Sequence, residues 1–227
     1  MPIRRRSSNA SPDPSSISST RLPDTLVIET ATTACSVALI RGGAVVAQRH
    51  EVVGRGHAER LIPMIAELPD GGRAARILVD CGPGSFTGIR VGIAAARGLA
   101  LGWGAQAAGF SSLALLAAAA FHDDPALDAL AVVIEGGHGE VFMQGFTRPL
   151  AQAGPFASLT PDAAFAALAG RVAIGNAVHR LAALDPGLDT REALPRAADA
   201  VSLPSSFTGL PPRPIYGRAP DAKPLPA

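Results

Sequence analysis

Cysteine, net charge and paired metal ligands are all scarce in this chain, and each scarcity removes a class of explanation. The 227 residues hold two cysteines, Cys35 and Cys81. That is too few for a disulfide framework, and both fall in segments that read as buried, where small hydrophobes of a reducing cytosol belong. Twenty basic residues against 19 acidic ones give a formal charge of +1. A broad electrostatic footprint for nucleic acid is therefore not expected, although a local patch stays open. The histidines stand singly at 50, 57, 122, 138 and 179, without H-x-x-x-H or C-x-x-C spacing, so no metal site is expected. A P-loop needs Lys after its second glycine, and Ile89 and Arg90 occupy that place. Arg4–Arg6 lead into no apolar core, so a secretory signal is not read. The uncharged run 98–121 is long enough to span a bilayer. Gly102, Gly104, Gln106, Gly109, Ser111 and Ser112 interrupt it, however, and it reads instead as a helix end, a strand and a new helix cap.

With 48% hydrophobic and 17% charged residues, the chain suits one or two globular domains with a sizeable core. Residues 1–24 are Ser/Pro-rich without periodicity and are expected to be disordered; RNA binding by their Arg/Ser content is the lesser reading. Order begins with a buried strand at Leu26. A hydroxyl-rich turn follows, then strands over 35–40 and 44–51 joined by Arg41-Gly42-Gly43, the opening of an antiparallel meander. His57 to Leu68 is amphipathic, with Leu61, Met64, Ile65 and Leu68 at helical spacing. A strand over 76–80 feeds the sequence GPGSFTG, and Ser85 or Thr87 can cap the long helix behind it.

In that helix Gly88, Gly92, Ala96, Ala100 and Gly104 recur every four residues. Interior glycine costs about 1 kcal/mol relative to Ala, so the small face predicts close approach of another backbone. Arg90 and Arg97 share a narrow polar stripe. Further on come a strand over 106–110, a Ser111-capped helix to Phe121, strands over 130–135 and 140–146, and a helix opened by Thr160 and Pro161. A strand over 172–174 and a helix from Asn176 follow, and the Pro-rich end reads as extended and surface-lying. Strands then helices, given twice, predict two α/β lobes.

Three chemical readings follow. Ser85 stands between strand and helix like a nucleophile, with His57, His138 and Asp80 as triad candidates, but G-x-S-x-G is absent. The loops carrying Thr30, Thr32 and Thr33 and carrying Gly82, Gly84 and Ser85 both follow strands, and together they form a candidate phosphate or nucleotide site with Glu29 as its carboxylate. The plain alternative is two ordinary turns with capping hydroxyls.

LVIETATTACSVALI, HAERLIPMIAEL, GPGSFTGIRVGIAAARGLALG, GFSSLALLA, GEVF and the closing PIYGR occur in an order that resembles the TsaB (YeaZ) family of tRNA threonylcarbamoyladenosine biosynthesis. The likeness is close over about 26–147 and looser beyond. It implies a two-lobed fold of the actin-like ATPase class (ASKHA), with an N-terminal lobe over 25–124, a C-terminal lobe over 125–218 and a Pro-rich tail over 219–227. It also implies a cytoplasmic, non-catalytic subunit without a cofactor, which pairs with TsaD and is joined by the small ATPase TsaE. TsaD transfers the threonylcarbamoyl group to the adenosine beside the anticodon of ANN-reading tRNAs, so tRNA would be met only through the complex. A second copy of the chain is the other partner implied, and no membrane is. The interface would be the helices carrying His57, Arg60, Leu61, Met64 and Ile65, and Gly88, Ile89, Gly92, Ile93 and Ala96. Ser112 and Leu116 fall where TsaD carries metal-binding histidines. The rival reading is a glycoprotease-like hydrolase or an ATPase using the Gly82–Ser85 loop. Glu29 replaces the family's usual Asp, and Glu135-Gly136-Gly137-His138 departs from the Asp-x-Arg of many relatives.

Overall fold

A computed structural model describes residues 22–217. Most of the expected disordered extension and the tail over 219–227 thus lie outside the described residues. Two mixed sheets carry the fold. The first has the order β3-β2-β1-β4-β5, from β1 (Thr25–Glu29), β2 (Ala34–Arg41), β3 (Ala44–Val52), β4 (Arg76–Asp80) and β5 (Gln106–Phe110). β1, β2 and β3 form the antiparallel meander, while β4 and β5 run parallel to β1. The second sheet repeats the opening theme. β6 (Ala129–Gly137) and β7 (Glu140–Thr147) pair antiparallel, β10 (Val172–Ile174) lies parallel to β6, and the short strands β8 (Ala151–Gln152), β9 (Ala157–Leu159) and β11 (Thr190–Arg191) complete it.

Helix ends follow local chemistry. α2 (Phe86–Trp103) starts where the Ser85 hydroxyl accepts from the Gly88 amide at 3.2 Å, and it stops at Gly104 in the left-handed region. Ser111 caps α3 (Ser112–Asp123), and Thr160 caps α4 (Pro161–Leu168) with proline in the first turn. α1 (His57–Ala66) ends two residues before the amphipathic pattern does, because Pro69–Gly72 form a separate 3-10 turn. The last helix, α5 (Val178–Ala182), begins at 178, beyond the expected Asn176. The uncharged run over 98–121 resolves into the end of α2, β5 and most of α3. Among the described residues no helix is long and apolar enough to cross a membrane.

Three cores stack through the molecule. α1 and α2 cover the outer face of the first sheet, with Leu26, Ile28, Leu61, Met64, Ile89 and Ile93 between them. α4 and α5 cover the outer face of the second, around Val133, Val141 and Leu181. The largest cluster lies between the two sheets. There α3 and the 3-10 turn Ala197–Ser202 join Val27 and Leu78 of one sheet to Leu130, Val132 and Phe146 of the other. The lobes are therefore joined by an apolar seam. At about 25 cal/mol per Å² of buried apolar surface, this seam is a main source of stability.

The chain then returns to the first lobe as a strap. Leu210 bridges Gly109 of β5, the Ile215 amide donates to the Cys81 carbonyl at 2.7 Å, and Arg76 donates to Thr208. The Pro-rich end is extended as expected, but it is stitched to the lobe rather than merely lying on it.

Candidate functional site

The turn after β1 and the loop after β4 meet edge to edge. The Ser85 amide donates to the Ala31 carbonyl at 2.6 Å, and the Thr30 hydroxyl donates to the Gly88 carbonyl at 2.8 Å. A Cβ on Gly88 would collide with the Thr30 carbonyl oxygen, and one on Gly92 with the Thr30 hydroxyl. These glycines are needed because the chain's own β1 turn passes over them. The backbone approach predicted from the small face is thus intramolecular.

Beneath this junction lie two carboxyl groups. Glu29 ends β1 and Asp80 ends the adjacent parallel strand β4, whose preceding residues Ile28 and Val79 are in register. Both are fully buried. Glu29 Oε1 accepts from the Ala31 amide at 2.7 Å, and Asp80 Oδ1 accepts from the Gly82 amide at 2.6 Å and the Ser112 hydroxyl at 2.8 Å. Glu29 Oε2 and Asp80 Oδ2 have no hydrogen-bond partner. Burial pushes the Asp80 carboxyl up to about 7. Burial, and then the neighbouring Asp80 charge, raise Glu29 well above the usual carboxylate range. Burial likewise pushes the Cys35 thiol up to about 12 and the Cys81 thiol to about 11, so both behave as core groups.

Above the junction a cleft of about 730 Å³ opens between the lobes, lined by Thr32, Thr33, Arg55, Ser85, Glu135 and Asn176 among others. The expected phosphate loop borders it but turns most of its groups inward. Thr30 holds Gly88, Thr32 accepts from the Ala34 amide, and Gly82 holds Asp80. Glu29, the carboxylate of that candidate site, is inside the fold. On the opposite wall Glu135 carries negative charge, held by a two-pronged pair with Arg180 at 2.9 and 2.8 Å. These residues do not fit a magnesium nucleotide. The hydrolase reading fares no better in geometry. Ser85 Oγ caps α2, His57 Nε2 is 3.0 Å from the Ala34 carbonyl, and Asp80 holds Ser112. Ser112 is fully buried, and Leu116 packs in the seam between the sheets.

The expected interface residues are also placed differently. His57, Leu61, Met64, Ile65, Gly88, Ile89, Gly92, Ile93 and Ala96 are buried in the first lobe, and Arg60 is half-buried and paired with Glu51. Their side chains face the sheet because the apolar stripe of each helix must cover it. What the helices show outward is another set: Ala58, Ile62, Pro63 and Ala66 on α1, and Ala94, Gly98 and Leu101 on α2. Leu101 is 88% exposed, and a Cβ on Gly98 would meet nothing within 4 Å.

Two α/β sheets of related order, joined by a seam and facing a cleft, define a two-lobed α/β protein. Residues 44–210 match the family described as TsaD: tRNA N6-adenosine threonylcarbamoyltransferase. The chain is 38% identical over 128 residues to the tRNA threonylcarbamoyladenosine biosynthesis protein TsaB of Escherichia coli, a match covering 54% of each. It is 30% identical over 220 residues to an uncharacterized protein of Mycobacterium tuberculosis, covering 92% of this chain and 98% of that one. The solved structure of YeaZ from Pseudomonas aeruginosa superposes with a TM-score of 0.70 at 29% identity, over 86% of this chain and 100% of that one. The chain belongs to the TsaB (YeaZ) family. It spans about half the length of the E. coli TsaB in that match.

Proposed function

We propose that this chain is the non-catalytic subunit of a complex that forms threonylcarbamoyladenosine in tRNA. In this reading it docks on a TsaD-type transferase through the outward faces of α1 and α2, with a TsaE-like ATPase as a further member, in the cytoplasm. The relatives' names support the pathway. The observation that carries the role is the commitment of Ser85, His57, Asp80 and Ser112 to the fold's own hydrogen bonds, beside two helices that expose small and apolar residues. Ala94, Gly98 and Leu101 with Ile62 and Pro63 offer a low-relief surface on which another pair of helices can pack closely.

Size-exclusion chromatography with light scattering, on the chain mixed with its cognate TsaD-type protein, tests the pairing. A one-to-one mixed species is expected. Gly98→Glu should weaken that species at least tenfold while shifting the melting temperature by less than about 2 °C, since surface changes stay within about 0.5 kcal/mol. A persistent homodimer with no mixed species would sink the pairing. Robust transferase or ATPase turnover by the chain alone would sink the non-catalytic role.

A further inference from the structure

The start of α2 carries a cluster that neither the fold nor the docking helices account for. Phe86 is 63% exposed and Tyr216, the single tyrosine, 56% exposed. The Arg90 guanidinium carbon lies 3.2 Å from the Phe86 ring centroid, Arg90 Nη2 donates to the Tyr216 hydroxyl at 2.8 Å, and the two rings stand 6.3 Å apart. The strap thus brings Tyr216 alongside the first turn of α2 and leaves two aromatic rings in water, steadied by an arginine.

The charge on the α2 and strap side of them is one-sided. No Asp or Glu occurs from Cys81 to His122 or from Ala200 to Gly217, the segments that carry the two rings, and the carboxylate across the cleft, Glu135, is paired with Arg180. Arg97 donates to the Pro212 carbonyl, a neutral acceptor, Arg213 is exposed on the strap, and Arg55 lines a hollow with Phe86 and Thr87. Among the described residues Arg55, Arg90, Arg97 and Arg213 have no carboxylate partner, whereas Arg41, Arg49, Arg60, Arg180 and Arg191 are each ion-paired. Arg73, Arg76, Arg148, Arg171 and Arg196 also lack a carboxylate partner, but Arg90 touches both exposed rings and Arg97 is held by the strap that carries Tyr216.

We infer that this face binds single-stranded RNA directly, with Phe86 and Tyr216 stacking on unpaired bases and the surrounding arginines engaging phosphates. Exposed rings interleaved with guanidinium groups match the chemistry of an unstacked polynucleotide, because every base has a π face and every linkage a negative charge. A duplex hides its base faces and cannot use the rings. The choice of RNA as the polyanion rests on the function proposed above; the surface itself does not.

Fluorescence anisotropy of a labelled 12-nucleotide oligouridine, with the full chain across a potassium chloride series, tests this. A blunt RNA duplex of the same length serves as the control. Binding tighter to the single strand is expected, with a log–log salt slope of about −2 for three phosphates engaged. Phe86→Ala and Tyr216→Ala should each weaken it about 5- to 150-fold, the range of base–aromatic stacking. Arg97→Gln should flatten the slope by about 0.7. All variants keep the same N-terminus, so any contribution from Arg4–Arg6 cancels in the ratios, and circular dichroism melting verifies that they fold. Equal affinity of wild type and both aromatic variants would overturn the inference. So would variants that lose the TsaD-type partner while keeping RNA, which would make the cluster a protein contact. A wild-type chain that pairs with the TsaD-type protein but does not bind the oligouridine sinks only this inference. If the wild type fails to pair but binds RNA, the docking role falls and the RNA surface stands.

Discussion

α2 presents two faces built from the same kind of residue, and they serve opposite ends. Gly88 and Gly92 point inward and are small because the Thr30 backbone and hydroxyl press against them, and Ala96 is buried in the core beside them. Ala94, Gly98 and Gly102 point outward and meet open space. Smallness is compulsory on one side and permitted on the other. A four-residue repeat of small side chains therefore says that something comes close, but only the surroundings say whether it is the chain's own turn or another molecule.

The sharpest way to break this distinction is Gly92→Leu. The new side chain would have to displace Thr30, so we expect a loss of about 3 kcal/mol or more, seen as a lower urea midpoint or as insoluble protein. A variant that folds normally but fails only to assemble would return the inward face to the interface.

Next in size is the carboxyl pair under the same junction. Asp80 titrates at about 7 in the folded protein against an ordinary 3.8, so the native state binds more protons than the unfolded chain between those values. Stability should consequently fall as pH rises through that window, by up to about 1.4 kcal/mol per pH unit for the one proton. Asp80→Asn keeps an acceptor for Gly82 and Ser112 and removes the charge. It should raise the melting temperature at pH 8 and leave it nearly unchanged at pH 4.5. A variant that melts lower at pH 8 would show that the ionised carboxylate is stabilising.

The smallest effect belongs to the outward face. Gly98→Ala should stabilise the chain by about 0.5–1 kcal/mol, because an exposed helical glycine with room for a Cβ carries only an entropic penalty. No gain in thermal midpoint would mean that position 98 is constrained by something other than helix propensity.

Much of this architecture was legible in the sequence, for physical reasons. The caps at Ser85, Ser111 and Thr160 and the hairpin at Gly42-Gly43 are local chemistry, and each element forms where that chemistry puts it. The polar stripe of Arg90 and Arg97 identified the exposed side of α2. The inward destination of Gly88 and Gly92 was not legible, because Thr30 lies 58 residues from Gly88 along the chain. The pairing of Glu29 with Asp80 depends on parallel register between distant strands, and no single stretch encodes it. The strap was read as surface-lying because proline suggests extension but says nothing of Arg76, Cys81 or Gly109 waiting to bond it.

The seam between the sheets has a mechanical consequence. A two-lobed protein that closes on a ligand needs a hinge it can bend cheaply, with water free to enter the gap. Here any widening of the cleft at its base would pull α3 and the 3-10 turn Ala197–Ser202 away from one sheet or the other and wet the apolar flank of α3. Deformation is thus opposed by the same apolar contacts that hold the fold together.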